Sequence, residues 1–99
     1  MAEDILLLYN IVHYDIEMVD SKAVCILYLM NEVKMSKRLQ ISVSNLTKLL
    51  KYMGCKKLRQ LVDSTIRCRI NKDLKVTHIS RMHIESDDWI VAKEVINDA

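Results

Sequence analysis

SVSNLTKLLKYMGCKKLRQL, residues 42–61, contains two amphipathic runs separated by a glycine and a short basic turn. In the first run the apolar positions recur at helical spacing: Leu46, Leu49, Leu50 and Met53. This pattern predicts a helix over about residues 44–53, with Ser42 or Ser44 as its N-cap. Gly54 fits the position that follows a helix, where a left-handed backbone is common.

The second run and the residues after it predict a further helix and a hairpin. A helix is predicted over about residues 56–64, with an apolar stripe formed by Leu58, Leu61 and Val62. Residues 65–70 and 74–79 instead show the alternation and the β-forming residues of strands. Asn71-Lys72-Asp73 between them is turn chemistry, so the two strands are expected to form a hairpin.

Helix, turn, helix and basic hairpin, in that order, are the parts of a winged helix-turn-helix, whose second helix enters the major groove of DNA. The strict helix-turn-helix pattern, aligned on Gly54, fits at three positions and fails at three. It fits at Leu49, Met53 and Cys55. It fails at Leu50, which is too large, and at Gln60 and Asp63, which are polar at core positions. The alternative, two core helices in an α+β domain of another topology, therefore stays open.

The first third of the chain favours a long hairpin. Residues 13–19, HYDIEMV, alternate with the period of a half-buried strand. The apolar residues before them continue this strand or lie in a buried helix. Asp20-Ser21 fits either a turn between strands or the N-cap of a helix over residues 22–35. The β-forming residues of AVCILYLM favour a hairpin over residues 5–30.

SDDWIVAKEVINDA, residues 86–99, also has two interpretations. Ser86 suits the N-cap of a short helix with Asp87 and Asp88 in its first turn. DWIVAKEVI could equally form a final strand. The capping residues favour the helix.

Charge is distributed very unevenly along the chain. Residues 34–75 hold twelve bases against two acids, a net charge of +10, although the whole chain carries only +2. Residues 1–33 hold one base against six acids, and residues 76–99 hold two bases against five. A basic block of this kind is typical of proteins with a polyanionic partner.

We expect this basic block to contact nucleic acid. The candidate residues are Lys48, Lys51, Lys56, Lys57, Arg59, Gln60, Arg67, Arg69 and Lys72. The cations would bind phosphates, and Arg59 and Gln60 could read base edges if the second helix enters the groove. The alternative is that these cations are solvated, or that acids of the same chain or of a partner subunit neutralise them.

No motif for enzyme chemistry is present. A chain with one glycine has no glycine-rich phosphate loop. Cys25, Cys55 and Cys68 lack zinc-site spacing and are interpreted as reduced thiols of an intracellular protein. His78 and His83 also lack ligand spacing. We therefore expect no catalytic residue, metal or cofactor, and no apolar run approaches the roughly 18 residues of a membrane span.

The chain resembles small proteins of crenarchaeal filamentous viruses in length and composition. Ile, Leu and Val are abundant, Lys and Glu fill the polar positions, and Gln40 and Gln60 are the two glutamines. Scarce glutamine also fits a hot environment. Several such proteins are small dimers, and several are winged-helix or ribbon-helix DNA binders. The resemblance therefore implies a small dimer, and it implies a location inside the host cell.

Ninety-nine residues, of which 51% are apolar and 28% charged, predict a single globular domain, residues 1–99. The expected fold class is α+β: antiparallel β-hairpins packed with two to three short helices, winged-helix-like or of another topology. A homodimer would complete the core of so short a chain. The expected function is non-enzymatic binding of double-stranded DNA through residues 48–75. The alternative is a homo-oligomeric structural or protein-interaction module.

Overall fold

The computed structural model describes residues 5–82 and 88–95, which form a seven-stranded antiparallel sheet and one α-helix. The order across the sheet is β6-β5-β4-β1-β2-β3-β7. The elements in chain order are β1 Ile5–Val19, β2 Lys22–Met30, β3 Ser36–Ser42, α1 Val43–Tyr52, β4 Thr65–Ile70, β5 Val76–Arg81, β6 Ile90–Val91 and β7 Lys93–Glu94. A 3-10 turn covers Leu58–Leu61.

Strand β1 is long enough to pair with two other strands along its length. Its first part, residues 5–10, pairs with β4, and residues 10–19 pair with β2. The register shifts between Ile11 and His13, where a bulge changes the direction of the strand. Since β4 returns through α1 to lie beside β1, the order β4-β1-β2-β3 is a Greek key.

Residues 90–95, called the closing segment here, join the two ends of the sheet. β6 pairs with β5, and β7, three residues later, pairs with β3. The backbone N–H of Ala92 donates to Thr77 O at 3.0 Å, and that of Val95 donates to Arg38 O at 2.8 Å. The sheet is therefore closed on itself, which protects the edges of β3 and β5.

An ion pair holds this closure on the inner side. The Nζ of Lys37 on β3 lies 2.6 Å from Oε1 of Glu94 on β7, and both side chains are at least 85% buried. Lys37 Nζ also donates to Leu74 O at 3.3 Å, and Glu94 Oε2 accepts the N–H of Val76 at 3.2 Å. The pair thus connects β3, β5 and β7 at one end of the core.

The core lies between the inner face of the closed sheet and α1. Its fully buried members come from every long strand and from the helix: Tyr9, Ile11, Leu27, Leu29, Leu39, Ile41, Leu49, Leu61, Ile66 and Ile79. Cys25 and Cys68 are free thiols in this core, and Cys55 is a partly buried free thiol. The two core thiols therefore contribute as small apolar side chains.

Three local predictions are confirmed. The hairpin over residues 5–30 forms, and its two-residue turn, Asp20-Ser21, has φ values of 50° and 67°, as a type I′ turn requires. The helix predicted over residues 44–53 is α1, and Ser42 caps it. The hairpin predicted over residues 65–79 forms as β4–β5, but its second strand begins at Val76 and not at residue 74, so the loop is longer than the three residues predicted.

The predicted fold class, with two to three helices and a winged-helix-like option, is wrong. The described residues form mainly antiparallel sheet with a single α-helix. The second predicted helix, residues 56–64, is reduced to the 3-10 turn, because Val62 returns to an extended backbone and Asp63 takes a φ of 71°. No recognition helix therefore exists in the described part of the chain.

The favoured C-terminal helix is also wrong where it can be compared. Ile90 and Ala92 are buried while Val91 and Lys93 are exposed, which is the period of a strand. Hydrogen bonding to both ends of the sheet decides the conformation of residues 90–95. Ser86, Asp87 and His83 lie outside the described residues.

Candidate nucleic-acid interface

Helix α1 presents two of the predicted cations to solvent. Leu46 and Leu49 are buried against the sheet, so Lys48 and Lys51 lie on the outer side and are exposed. The helix is fixed at its start by Ser42, whose Oγ accepts the N–H of Asn45 at 3.1 Å. Docking and capping therefore determine where these two lysines point.

The loop after α1 exposes three more cations. Gly54, with a φ of 70°, ends the helix, and the N–H of Cys55 donates to Leu50 O at 2.8 Å. Leu61 is fully buried and anchors the 3-10 turn to the core. Around these anchors the exposed cations are Lys56, Lys57 and Arg59.

Gln60 has a structural role that the sequence did not reveal. Its Oε1 accepts the backbone N–H of Lys56 at 2.6 Å and that of Lys57 at 2.8 Å. These two hydrogen bonds hold the side-chain oxygen of Gln60 against the loop, so it does not point toward a base edge. The prediction that Gln60 contacts nucleic acid loses its geometric basis, since it also required a recognition helix.

Residues 43–62 together form what we call the basic lobe. The segment contains five exposed cations, Lys48, Lys51, Lys56, Lys57 and Arg59, and no Asp or Glu. Within residues 5–82 and 88–95, none of the five forms an ion pair with an acid; the pairs there are His13–Asp15, Lys37–Glu94 and Arg81–Asp88. The five cations are therefore exposed and lack an acidic partner among the described residues.

Arg67 and Arg69 are placed differently from their predicted role. Arg67 is only 7% exposed, and its Nε donates to Arg81 O at 2.8 Å. Trp89 lies against both: the guanidinium carbon of Arg67 is 4.9 Å from the ring centroid and that of Arg69 is 4.3 Å from it. These arginines hold the stretch around Trp89 against β4 through cation–π contacts. Arg67 is too buried to bind a phosphate.

Lys72 is exposed but remote from the basic lobe. It lies in the β4–β5 turn, whereas the lobe ends just before β4 begins. Six residues of extended strand separate the two positions, which corresponds to about 20 Å. Lys72 is thus a cation at the other end of the sheet.

A row of contacting side chains crosses β1, β2 and β3 on the outer face of the sheet. The ring centroids of His13 and Tyr28 are 5.2 Å apart, and the guanidinium carbon of Arg38 is 5.5 Å from the Tyr28 centroid. His13 is 64% exposed in its side chain. We call His13, Tyr28 and Arg38 the aromatic row; such a flat, partly cationic surface can stack an unpaired base.

The row has an acidic side. Tyr28 donates its hydroxyl to Asp15 Oδ2 at 3.3 Å, and Asp15 and Glu17 follow His13 along β1. This row was not identified from the sequence. The polar alternation of residues 13–17 was the visible signal, but the cross-strand register that joins His13 to Tyr28 was not.

Metal binding and membrane crossing find no support in the described part of the chain. No cluster of three His, Cys, Asp or Glu side chains that could hold a metal ion occurs within residues 5–82 and 88–95. The one helix described there, α1, is too short to span a bilayer.

The fold and the exposed charge describe a small closed-sheet protein with a cationic lobe. Comparison of the chain with protein-family models, with curated proteins and with solved structures finds no match.

Proposed function

We propose that this protein binds nucleic acid without catalysis, and that the basic lobe supplies the phosphate contacts. The observation that carries the proposal is the set of five exposed cations on residues 43–62, free of acids in sequence and of ion pairs with described residues. Cations near phosphates release condensed counterions, so binding of this kind is strong at low salt and weakens steeply as salt rises.

The topology supports single-stranded rather than double-stranded nucleic acid. The duplex mode predicted from the sequence placed a recognition helix in the major groove, and the described residues contain no such helix. Closed five-stranded Greek-key sheets of the OB type bind oligonucleotides on the face of their second and third strands. The β4-β1-β2-β3 order and the aromatic row on β2 and β3 fit that class of binding surface.

The charges beside the aromatic row would determine on which side of Tyr28 the backbone of a bound nucleic acid lies. Asp15 and Glu17 would repel phosphates on the β1 side of Tyr28, so the backbone of a bound nucleic acid would follow the β3 side. Strand β3 leads directly into α1, so a backbone that follows the β3 side runs toward the basic lobe. In this arrangement Tyr28 and His13 stack a base and the lobe binds the backbone.

The test is fluorescence anisotropy of a labelled random-sequence single strand and of its duplex across a salt series. Five phosphate contacts predict a slope of about −3 to −4 in log K against log salt for the single strand. The triple variant Lys56→Ala, Lys57→Ala, Arg59→Ala should bind more weakly and reduce the slope to about −1 to −2. The matched control removes three exposed cations outside the lobe: Lys22→Ala, Lys34→Ala and Lys75→Ala.

Equal losses in the two triple variants would mean that net charge alone drives binding, and the lobe assignment would be wrong. Absence of binding at low salt would remove the nucleic-acid proposal, because phosphate attraction is strongest there. The double variant His13→Ala, Tyr28→Ala should weaken binding of the single strand and leave the duplex unaffected. A uniform effect on both ligands would argue against base stacking on the row.

A further inference from the structure

Strand β1 has an edge that no described strand covers. Residues 5–10 pair with β4, and Ile11 still exchanges backbone hydrogen bonds with the loop before β4, at 2.8 Å to Ser64 and 2.7 Å from Asp63. From His13 to Val19 the strand pairs with β2 on one side, and Val12 is the extra residue of the bulge before it. On the other side, within residues 5–82 and 88–95, residues 12–19 pair with nothing; we call this the free edge.

The free edge carries exposed apolar side chains. Val12 is 43% exposed, Ile16 52%, Met18 68% and Val19 37%. Edge strands of soluble proteins are usually blunted by charged side chains, especially lysine, by proline, by bulges or by a covering element. The free edge has a bulge at its start and two acids, Asp15 and Glu17. Residues 12–19 contain neither lysine nor proline. A long apolar edge of this type favours addition of another strand.

The charges of the free edge are complementary to themselves. A two-fold axis at Tyr14 would place His13 of each copy opposite Asp15 of the other, and Val12 opposite Ile16. Centring the pairing on Asp15 would oppose two identical carboxylates. Centring it on Ile16 would oppose Asp15 and Glu17 twice. Since like charges directly opposite are destabilising in a sheet, the charge pattern favours the arrangement centred on Tyr14 over those centred on Asp15 and Ile16.

We propose that two copies of this chain associate through antiparallel pairing of residues 12–16 of β1, with the two-fold axis at Tyr14. The contact is isologous, so the same five residues serve both copies and the assembly closes at a dimer. It extends the β1–β2 side of one sheet into the other and covers Val12 and Ile16. The proposal does not rest on nucleic-acid binding: the basic lobe, residues 43–62, lies outside the paired residues, whereas His13 belongs both to these and to the aromatic row.

The first experiment is sedimentation equilibrium of the full chain over a concentration series. The wild type should be a dimer, and Ile16→Glu should be a monomer, because it places two further carboxylates in the interface. Val33→Glu is the matched control, since Val33 is 74% exposed in the turn between β2 and β3, away from the free edge. Circular dichroism melts of both variants verify that each chain remains folded.

The second experiment reads the register by disulfide cross-linking in a Cys55→Ser background. Residues directly opposite across an antiparallel pair have Cα atoms about 4.5–5.5 Å apart, within the range of a disulfide. Tyr14→Cys should therefore form a covalent dimer on mild oxidation, and Asp15→Cys should form far less. Cys25 and Cys68 are buried and should not contribute.

Each outcome of these two experiments either supports or overturns the proposed dimer. A dimer that is lost in Ile16→Glu and kept in Val33→Glu, with cross-linking at residue 14, supports the proposal. A wild-type monomer throughout the series overturns it, as does a dimer that survives Ile16→Glu. Efficient cross-linking at residue 15, or at neither residue, overturns the pairing centred on Tyr14.

Discussion

At the scale of single residues, the partners of a basic side chain in the folded chain decide whether it is exposed or buried. The exposed cations of the basic lobe were all among the predicted contacts, because basic residues on a short amphipathic segment rarely find a place in the core. Arg67 was predicted alongside them, yet it is buried against Arg81 O and Trp89. Nothing local distinguishes Arg67 from Arg59; the difference comes from a partner that is 22 positions further along the chain.

The buried thiols provide a prediction on alkaline stability. Burial raises the pKa of the Cys68 thiol to about 12 and that of the Cys25 thiol to about 11, against an ordinary value of 9.0. Between pH 9 and about 11 the unfolded chain loses these protons while the folded chain keeps them. The stabilisation that comes from this pKa difference is therefore complete below pH 9. The free energy of unfolding falls as pH rises through this window.

Thermal melts between pH 7 and pH 11 measure this effect by comparison of variants. Cys68→Val should lose less stability across the alkaline window than the wild type, because one of the two raised pKa values is gone. Cys55→Ser, which changes a partly buried thiol outside the innermost core, should follow the wild type. Identical pH slopes for Cys68→Val and the wild type would contradict the assignment.

At the scale of elements, patterns within one element were predictable and those that depend on a second element were not. The period of Leu46 and Leu49 gave α1, and the alternation of residues 13–19 gave part of β1. Residues 56–64 also have a helical pattern, but Gln60 bonds to the backbone of Lys56 and Lys57 and the chain turns away after Leu61. The bond from the Lys57 N–H to Gln60 is a capping contact that starts a helical turn, and the turn ends because Val62 is extended and Asp63 has a positive φ. Neither feature leaves a periodic signal.

The N-cap of α1 gives a prediction for this scale. Ser42→Ala removes the acceptor of the Asn45 N–H and should lower the free energy of unfolding by about 1 kcal/mol. Ser44→Ala is the matched control, since Ser44 lies inside the first turn of the helix and its Oγ has only a 3.5 Å contact with Ser42 Oγ. Urea denaturation of both variants would show the difference, and equal destabilisation would argue against the cap.

At the scale of the whole molecule, closure of the sheet was beyond sequence reasoning. The pairing of Gln40 with Lys93 joins residues 53 positions apart. Residues 90–94 form two strands of two residues each, which pair with strands at opposite ends of the sheet. Hairpins form between neighbours in sequence and carry turn signals, whereas this contact has none. The charge block was visible from the start; that it faces outward as a lobe depends on the sheet beneath it.

Substitutions at the Lys37–Glu94 ion pair test the closure of the sheet directly. Lys37→Met leaves the Glu94 carboxylate buried without its counter-ion and should cost about 3 kcal/mol in the free energy of unfolding. The double variant Lys37→Met, Glu94→Gln should recover part of the loss, because glutamine is neutral and its oxygen still accepts the N–H of Val76. Urea denaturation compares the three proteins. A double variant no more stable than Lys37→Met would contradict a role for the pair in closing the sheet.

The most direct test of the central claim is a titration of the isotope-labelled protein with a short single-stranded oligonucleotide, followed by amide chemical shifts at low salt. The account predicts that the largest changes fall on residues 44–62, with further changes at His13, Tyr28 and Arg38. It also predicts that the changes diminish when salt is added, since phosphate contacts dominate. Shift changes that leave residues 44–62 unaffected, or that persist unaltered at high salt, would contradict the assignment of the basic lobe as the nucleic-acid interface.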